Sequence, residues 1–89
     1  MRPRVSWMTN ADDAILEFFE DHAIALPPAA VAYNIDFSYS HVRNRMRTLA
    51  DHALLQKADE EKGYYEITDR GIAYLAGELD AKELESNQD

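Results

Sequence analysis

Arg43, Arg45 and Arg47 stand within five residues of one another in the stretch SYSHVRNRMRTLADHALL, in a chain whose formal net charge is -8. Guanidinium groups bind carboxylates, phosphates or the guanine edge, because their planar fork of donors matches paired acceptors. Between Ser38 and Lys57 the cations Arg43, Arg45, Arg47 and Lys57 are opposed only by Asp51, so this window is locally basic. The acids crowd elsewhere, at Asp12, Asp13, Glu17, Glu20 and Asp21 and again at Glu78, Asp80, Glu83, Glu85 and Asp89. Net charge argues against a nucleic-acid partner, but its distribution does not. Arg2 and Arg4 flank Pro3 in a second basic cluster, which is read either as an arm to a minor groove or as a disordered terminus.

Other chemistries find little support. His22, His41 and His52 lack the close spacing of zinc ligands and no cysteine joins them, so neither a metal nor another cofactor is expected. No nucleophile is paired with a base, no glycine loop cradles a phosphate, and the acids read as helix caps and solvated surface, so an enzyme is not expected. The absence of cysteine and of an apolar leader predicts an intracellular, cytoplasmic protein. The longest uncharged run, Ala23 to Ile35, is interrupted by Pro27 and Pro28 and falls short of the roughly 20 residues a membrane span needs.

The elements that must position the arginines follow from periodicity and caps. Eighty-nine residues, 46% hydrophobic and 29% charged, predict one domain over residues 1–89, with a basic arm at 1–8 and an acidic, frayed tail at 80–89. Thr9 and Asn10 precede an acidic first turn and the apolar set Ile15, Leu16, Phe18 and Phe19, which predicts a helix from about Ala11 to His22. Pro27 and Pro28 suit the first turn of a short second helix, Ala29 to Tyr33, ending near Asn34. Ser38 is positioned to cap a third helix running to about His52, with Val42, Met46, Leu49 and Ala53 as its buried stripe. Leu54 to Ala58 and Tyr64 to Ile67 read as strands around a loop at Asp59 to Gly63, with Tyr64 and Tyr65 on opposite faces. Thr68 caps a last helix whose stripe is Ile72, Leu75 and Leu79, with Gly71 and Gly77 allowing close backbone approach.

Helix, helix, turn, helix, hairpin, helix is the order of a winged helix-turn-helix, an α+β and mostly helical fold. The third helix would then be the recognition helix. Opposite its stripe it carries Ser40, Asn44 and Arg47, with Arg43 on the shoulder. In a major groove about 12 Å wide, arginine bonds guanine O6 and N7, asparagine bonds adenine N6 and N7, and serine bonds either. Arg45 lies on the flank of the stripe, which suits pairing with an acid or a phosphate rather than reading a base.

The segments WMTNADDAIL, LPPAAVAYNIDFSYSHVRNRMRTLADHALL and GYYEITDRGIAYLAGELD resemble those of haloarchaeal winged-helix proteins related to the phiH phage repressor. The resemblance implies a DNA-binding transcriptional regulator, a repressor acting as a homodimer on double-stranded DNA. It implies recognition positions at Tyr39, Ser40, His41, Arg43, Asn44 and Arg47 and a wing at Asp59 to Gly63. An acid excess, six arginines against three lysines and no cysteine are consistent with a salt-loving host. The wing departs from the usual pattern, since Asp59, Glu60 and Glu61 outnumber Lys62 where phosphates would be gripped. The other class open to this fold is a protein-binding module without specific DNA binding. The polar outward face of helix three favours DNA, because protein-binding faces have apolar, aromatic-rich centres.

Overall fold

The computed structural model describes residues 5–85. Among them five helices flank one two-stranded sheet: α1 (Asn10–Asp21), α2 (Pro28–Asn34), α3 (Tyr39–Asp51), β1 (Leu55–Asp59), β2 (Tyr64–Ile67), α4 (Asp69–Leu75) and α5 (Ala81–Glu85). Arg2 and Arg4, read above as an arm, lie outside the described residues. No helix among those described is long and apolar enough to cross a membrane.

α1 starts at a capping box. The Thr9 hydroxyl accepts from the Asp12 N–H at 3.4 Å and the Asp12 carboxylate accepts from the Thr9 N–H at 2.9 Å, so two helix-end donors are satisfied. Its apolar face buries Ala11, Ile15, Leu16 and Phe19. Pro28 opens α2 at a position where a missing N–H costs nothing. The Ser38 hydroxyl caps α3 by accepting from the His41 N–H at 3.3 Å. Val42, Met46 and Leu49 are fully buried, and they press α3 into a core shared with Ile15, Leu16, Phe19, Val31, Leu54 and Leu55.

Ala53 does not extend that stripe. The helix closes in a Schellman motif, with the Leu54 N–H on the Leu49 carbonyl and the Ala53 N–H on the Ala50 carbonyl, and Ala53 takes φ 62. Ala53 is therefore exposed, and the chain turns directly into β1.

The strands pair antiparallel, Leu55 with Ile67, Gln56 with Glu66 and Lys57 with Tyr65, with a bulge between Lys57 and Asp59. Leu26 exchanges both backbone hydrogen bonds with Tyr65, at 2.8 and 2.9 Å, and acts as a one-residue third strand. Tyr65 is buried and Tyr64 is exposed. The Thr68 hydroxyl caps α4, accepting from the Gly71 N–H at 3.0 Å and donating to the Ala53 carbonyl at 2.6 Å. Gly71 passes so close to β1 and β2 that any Cβ there would collide with the Leu54 carbonyl and lie 2.8 Å from Ile67 Cγ1.

The last helix is shorter than its apolar pattern suggests. Gly77 takes φ 77, its N–H bonds the Tyr74 carbonyl and the Glu78 N–H bonds the Ala73 carbonyl, which ends α4 in a second Schellman motif. Leu79 consequently lies beyond the helix and leaves the stripe of Ile72 and Leu75. Leu75 is buried, Leu79 packs half-buried against the core, and Ile72 is 44% exposed. Part of the segment expected to fray also folds: Ala81–Glu85 is helical because Leu84 inserts fully into the core. Its end is fastened by the Ser6 N–H, which donates to the Glu85 carboxylate at 2.9 Å.

Candidate nucleic-acid interface

With its stripe of Val42, Met46 and Leu49 buried, α3 must turn its opposite face outward. Tyr39, Ser40, His41, Arg43, Asn44 and Arg47 are all exposed. The Arg43 guanidinium sits 5.9 Å from the centroid of the Tyr39 ring, a cation–π contact that limits its conformers. His41 tilts against Phe37 with ring centroids 6.0 Å apart.

Three of these six residues meet a second wall. Tyr39, Arg43 and Arg47 line an open concavity of about 270 Å³, whose other side is formed by Pro27, Pro28, Ala29 and the hairpin residues Lys57, Lys62, Gly63 and Tyr65. Ser40, His41 and Asn44 do not line it. Four cations, Arg43, Arg47, Lys57 and Lys62, thus converge on one groove between α3 and the hairpin.

Lys57 was not among the residues expected at the site, and Lys62 was expected there only as the lone cation of an acidic wing. A signal for Lys57 was present, since strand alternation puts it on the same face of β1 as buried Leu55. Lys62 could not be placed without the turn geometry. One Asp59 carboxylate oxygen accepts from the Glu61 N–H at 2.9 Å and from the Lys62 N–H at 3.2 Å, while the Gly63 N–H bonds the Asp59 carbonyl at 3.1 Å. Gly63 supplies the left-handed φ of 68 that this turn requires. The first acid of the wing is therefore engaged in closing the loop, and Lys62 is folded toward α3.

Arg45 takes the opposite direction. Its Nε donates to one oxygen of Asp12 at 2.8 Å, its Nη2 to the other at 2.7 Å, and Nη2 also donates to the Trp7 carbonyl at 3.0 Å. Asp12 is fully buried, and its hydrogen bond is the main cause holding the Arg45 pKa above the usual guanidinium value. This pair ties α3 to the N-terminus of α1 and keeps Arg45 away from the exposed face.

Comparison with known proteins agrees with this architecture. The family model described as winged helix-turn-helix phage repressor matches residues 1–87. The chain is 40% identical over 88 residues to the repressor protein of Halobacterium phage phiH, with 96% of this chain and 98% of that protein covered. It is also similar to the PhiH1 repressor-like protein from Haloarcula marismortui, whose crystal structure matches at a TM-score of 0.81 with 43% identity over 91% of each chain. With its hairpin wing packed beside an exposed, arginine-bearing third helix, the chain belongs to the winged helix-turn-helix phage repressor family.

Proposed function

We propose that this protein is a sequence-specific repressor that binds double-stranded DNA as a homodimer in the cytoplasm of a haloarchaeal host, the whole chain acting as one domain. α3 enters the major groove, where Arg43, Asn44, Arg47 and Ser40 meet base edges and Tyr39 and His41 meet the groove rim. Lys57 and Lys62 approach the flanking phosphates. The observation that carries this reading is the convergence of Arg43, Arg47, Lys57 and Lys62 on one groove in a chain of net charge -8. Acids on the remote faces repel nonspecific DNA, so affinity depends on the fit of this one surface.

With up to four cations per subunit near phosphates, log K against log salt should fall with a slope on the order of -4 to -7 for a dimer. Fluorescence anisotropy on DNA upstream of the protein's own gene, with scrambled DNA as control, measures this. Equal affinity for both sequences would remove sequence readout from the proposal.

The exposed apolar surface supports a second copy as partner. Ile24, 59% exposed, and Ile72, 44% exposed, line one shallow groove with Ala23, Ala25, Ile67 and Glu66. Leu79 packs half-buried against the core, so it does not offer that face. In a two-fold dimer the half-site centres lie about one DNA turn, roughly 34 Å, or a multiple of it apart. Sedimentation at micromolar concentration should give twice the 10.2 kDa chain mass, and Ile72→Glu should return it to one chain. A wild type that sediments as a monomer and, on binding, adds the mass of only one chain to the operator would refute the dimer.

A further inference from the structure

α3 ends at His52, and both ends of the described chain meet it there. The imidazole is 7% exposed. It stacks on Trp7 with ring centroids 3.9 Å apart and planes inclined by 13°, and it hydrogen-bonds the backbone of Leu84 in α5. His52 Nδ1 and Trp7 Nε1 are buried without a hydrogen-bond partner. Around the ring, Arg70 donates to the His52 carbonyl at 3.2 Å and to the Glu83 carbonyl at 3.0 Å, and Arg45 donates to the Trp7 carbonyl at 3.0 Å. Segments 6–7 and 83–85 are therefore fastened to the C-terminal end of the recognition helix around one side chain.

The charged groups acting on this ring are Arg45 and Asp51 of α3 and Arg70 of α4; the N-terminal segment offers the Trp7 indole and α5 the Leu84 backbone. A proton added at Nδ1 would find no acceptor and two guanidinium groups close by. Loss of solvation on burial, more than any other cause, holds the His52 pKa below the ordinary histidine value. Arg70 and Arg45 act in the same direction, and the Leu84 hydrogen bond and Asp51 oppose it.

The geometry points to His52, in its neutral form, as a positioning residue for the recognition helix: Trp7, His52 and Leu84 form a clasp, and protonation of the imidazole opens it and weakens operator binding. This rests on the DNA-binding reading above. The sign follows from linkage, because a ring that is harder to protonate in the folded state stabilises that state while it stays neutral. The clasp is intact above about pH 6.5, the value for a free histidine, and is lost as pH falls from there through the lower folded-state value.

Trp7 is the single tryptophan of the chain, so its emission reports the stack directly. Emission and operator affinity are measured from roughly pH 7.5 to 5, the range in which histidine titrates, in the wild type and in His52→Phe, which keeps an aromatic partner but cannot take a proton. Wild-type emission should titrate with a midpoint below that of a free histidine and the variant should not. The ratio of wild-type to variant Kd should rise on the order of tenfold over that range. His41, on the DNA face, is present in both proteins and drops out of the ratio. Proton NMR of the His52 ring in the wild type gives the same titration if the variant does not fold. Emission that stays constant, that titrates alike in both proteins, or that changes while the Kd ratio does not, overturns the clasp. Failure of both proteins to bind operator at neutral pH would instead refute the DNA-binding reading, and the emission and ring titrations would still decide whether the clasp opens.

Discussion

Arg47→Ala is expected to relax operator preference at one base position in each half-site and to weaken binding by about 1 to 3 kcal/mol per subunit, twice over in a dimer. The residue lies on the exposed side of α3 and lines the groove shared with the wing, so in the proposed complex its guanidinium would face a base edge and the phosphates beside it. Removing a bidentate guanine contact leaves O6 and N7 without their donors, which penalises guanine more than the other bases. Lys57→Ala and Lys62→Ala supply the contrast. Each should weaken all sequences alike and lower the salt slope by about one per subunit, about two for the dimer, because a phosphate carries no sequence information. The measurement is binding of each folded variant to a panel of single-base operator variants at fixed salt. Should Arg47→Ala bind the whole panel as the wild type does, the orientation proposed for α3 in the groove is wrong.

Arg45→Ala should act on folding instead, destabilising the domain by about 3 to 5 kcal/mol, since it leaves a buried carboxylate uncompensated. Asp12 is fully exposed to that loss, having no contact with solvent. Its remaining hydrogen bond from the Thr9 N–H moderates the effect, which places the expected value toward the lower figure. For a domain whose total stability is on the order of 5 to 15 kcal/mol, this is a large fraction. Arg45→Lys should recover part of the charge but not the two-pronged geometry, and so fall between. Chemical denaturation of the three proteins gives the order directly. Whatever fraction of Arg45→Ala remains folded should keep the wild-type base preference, because the guanidinium points to α1 and Trp7 and not to the groove. A stability loss below about 1 kcal/mol, the range of an exposed ion pair, would show that the pair does not anchor α3.

The order of elements was legible in the sequence because its determinants are local. Thr9, Ser38 and Thr68 each accept a hydrogen bond from an N–H two or three residues into the helix that follows, and such caps need only neighbouring chain. The recurrence of Val42, Met46 and Leu49 likewise determined which side of α3 is buried, and hence that Arg43, Asn44 and Arg47 are exposed while Arg45 turns inward. That Tyr64 and Tyr65 lie on opposite faces likewise follows from strand alternation, although which of them is buried does not. Only the tertiary structure decided what these side chains meet. The partner of Arg45 lies 33 residues away, at Asp12. Ser6 and Glu85 are joined across 79 residues, and Leu84 becomes core only once α5 packs beside the end of α3. Gly77 was read as a point of close approach inside a helix, but its left-handed backbone ends that helix and detaches Leu79 from the stripe of Ile72. The groove itself is lined by α3, by the start of α2 and by the hairpin. Strand alternation marks the face of β1 that carries Lys57, but that this face and Lys62 of the turn line a groove with α3 depends on how hairpin and helix pack, for which no period or spacing along the chain carries a signal.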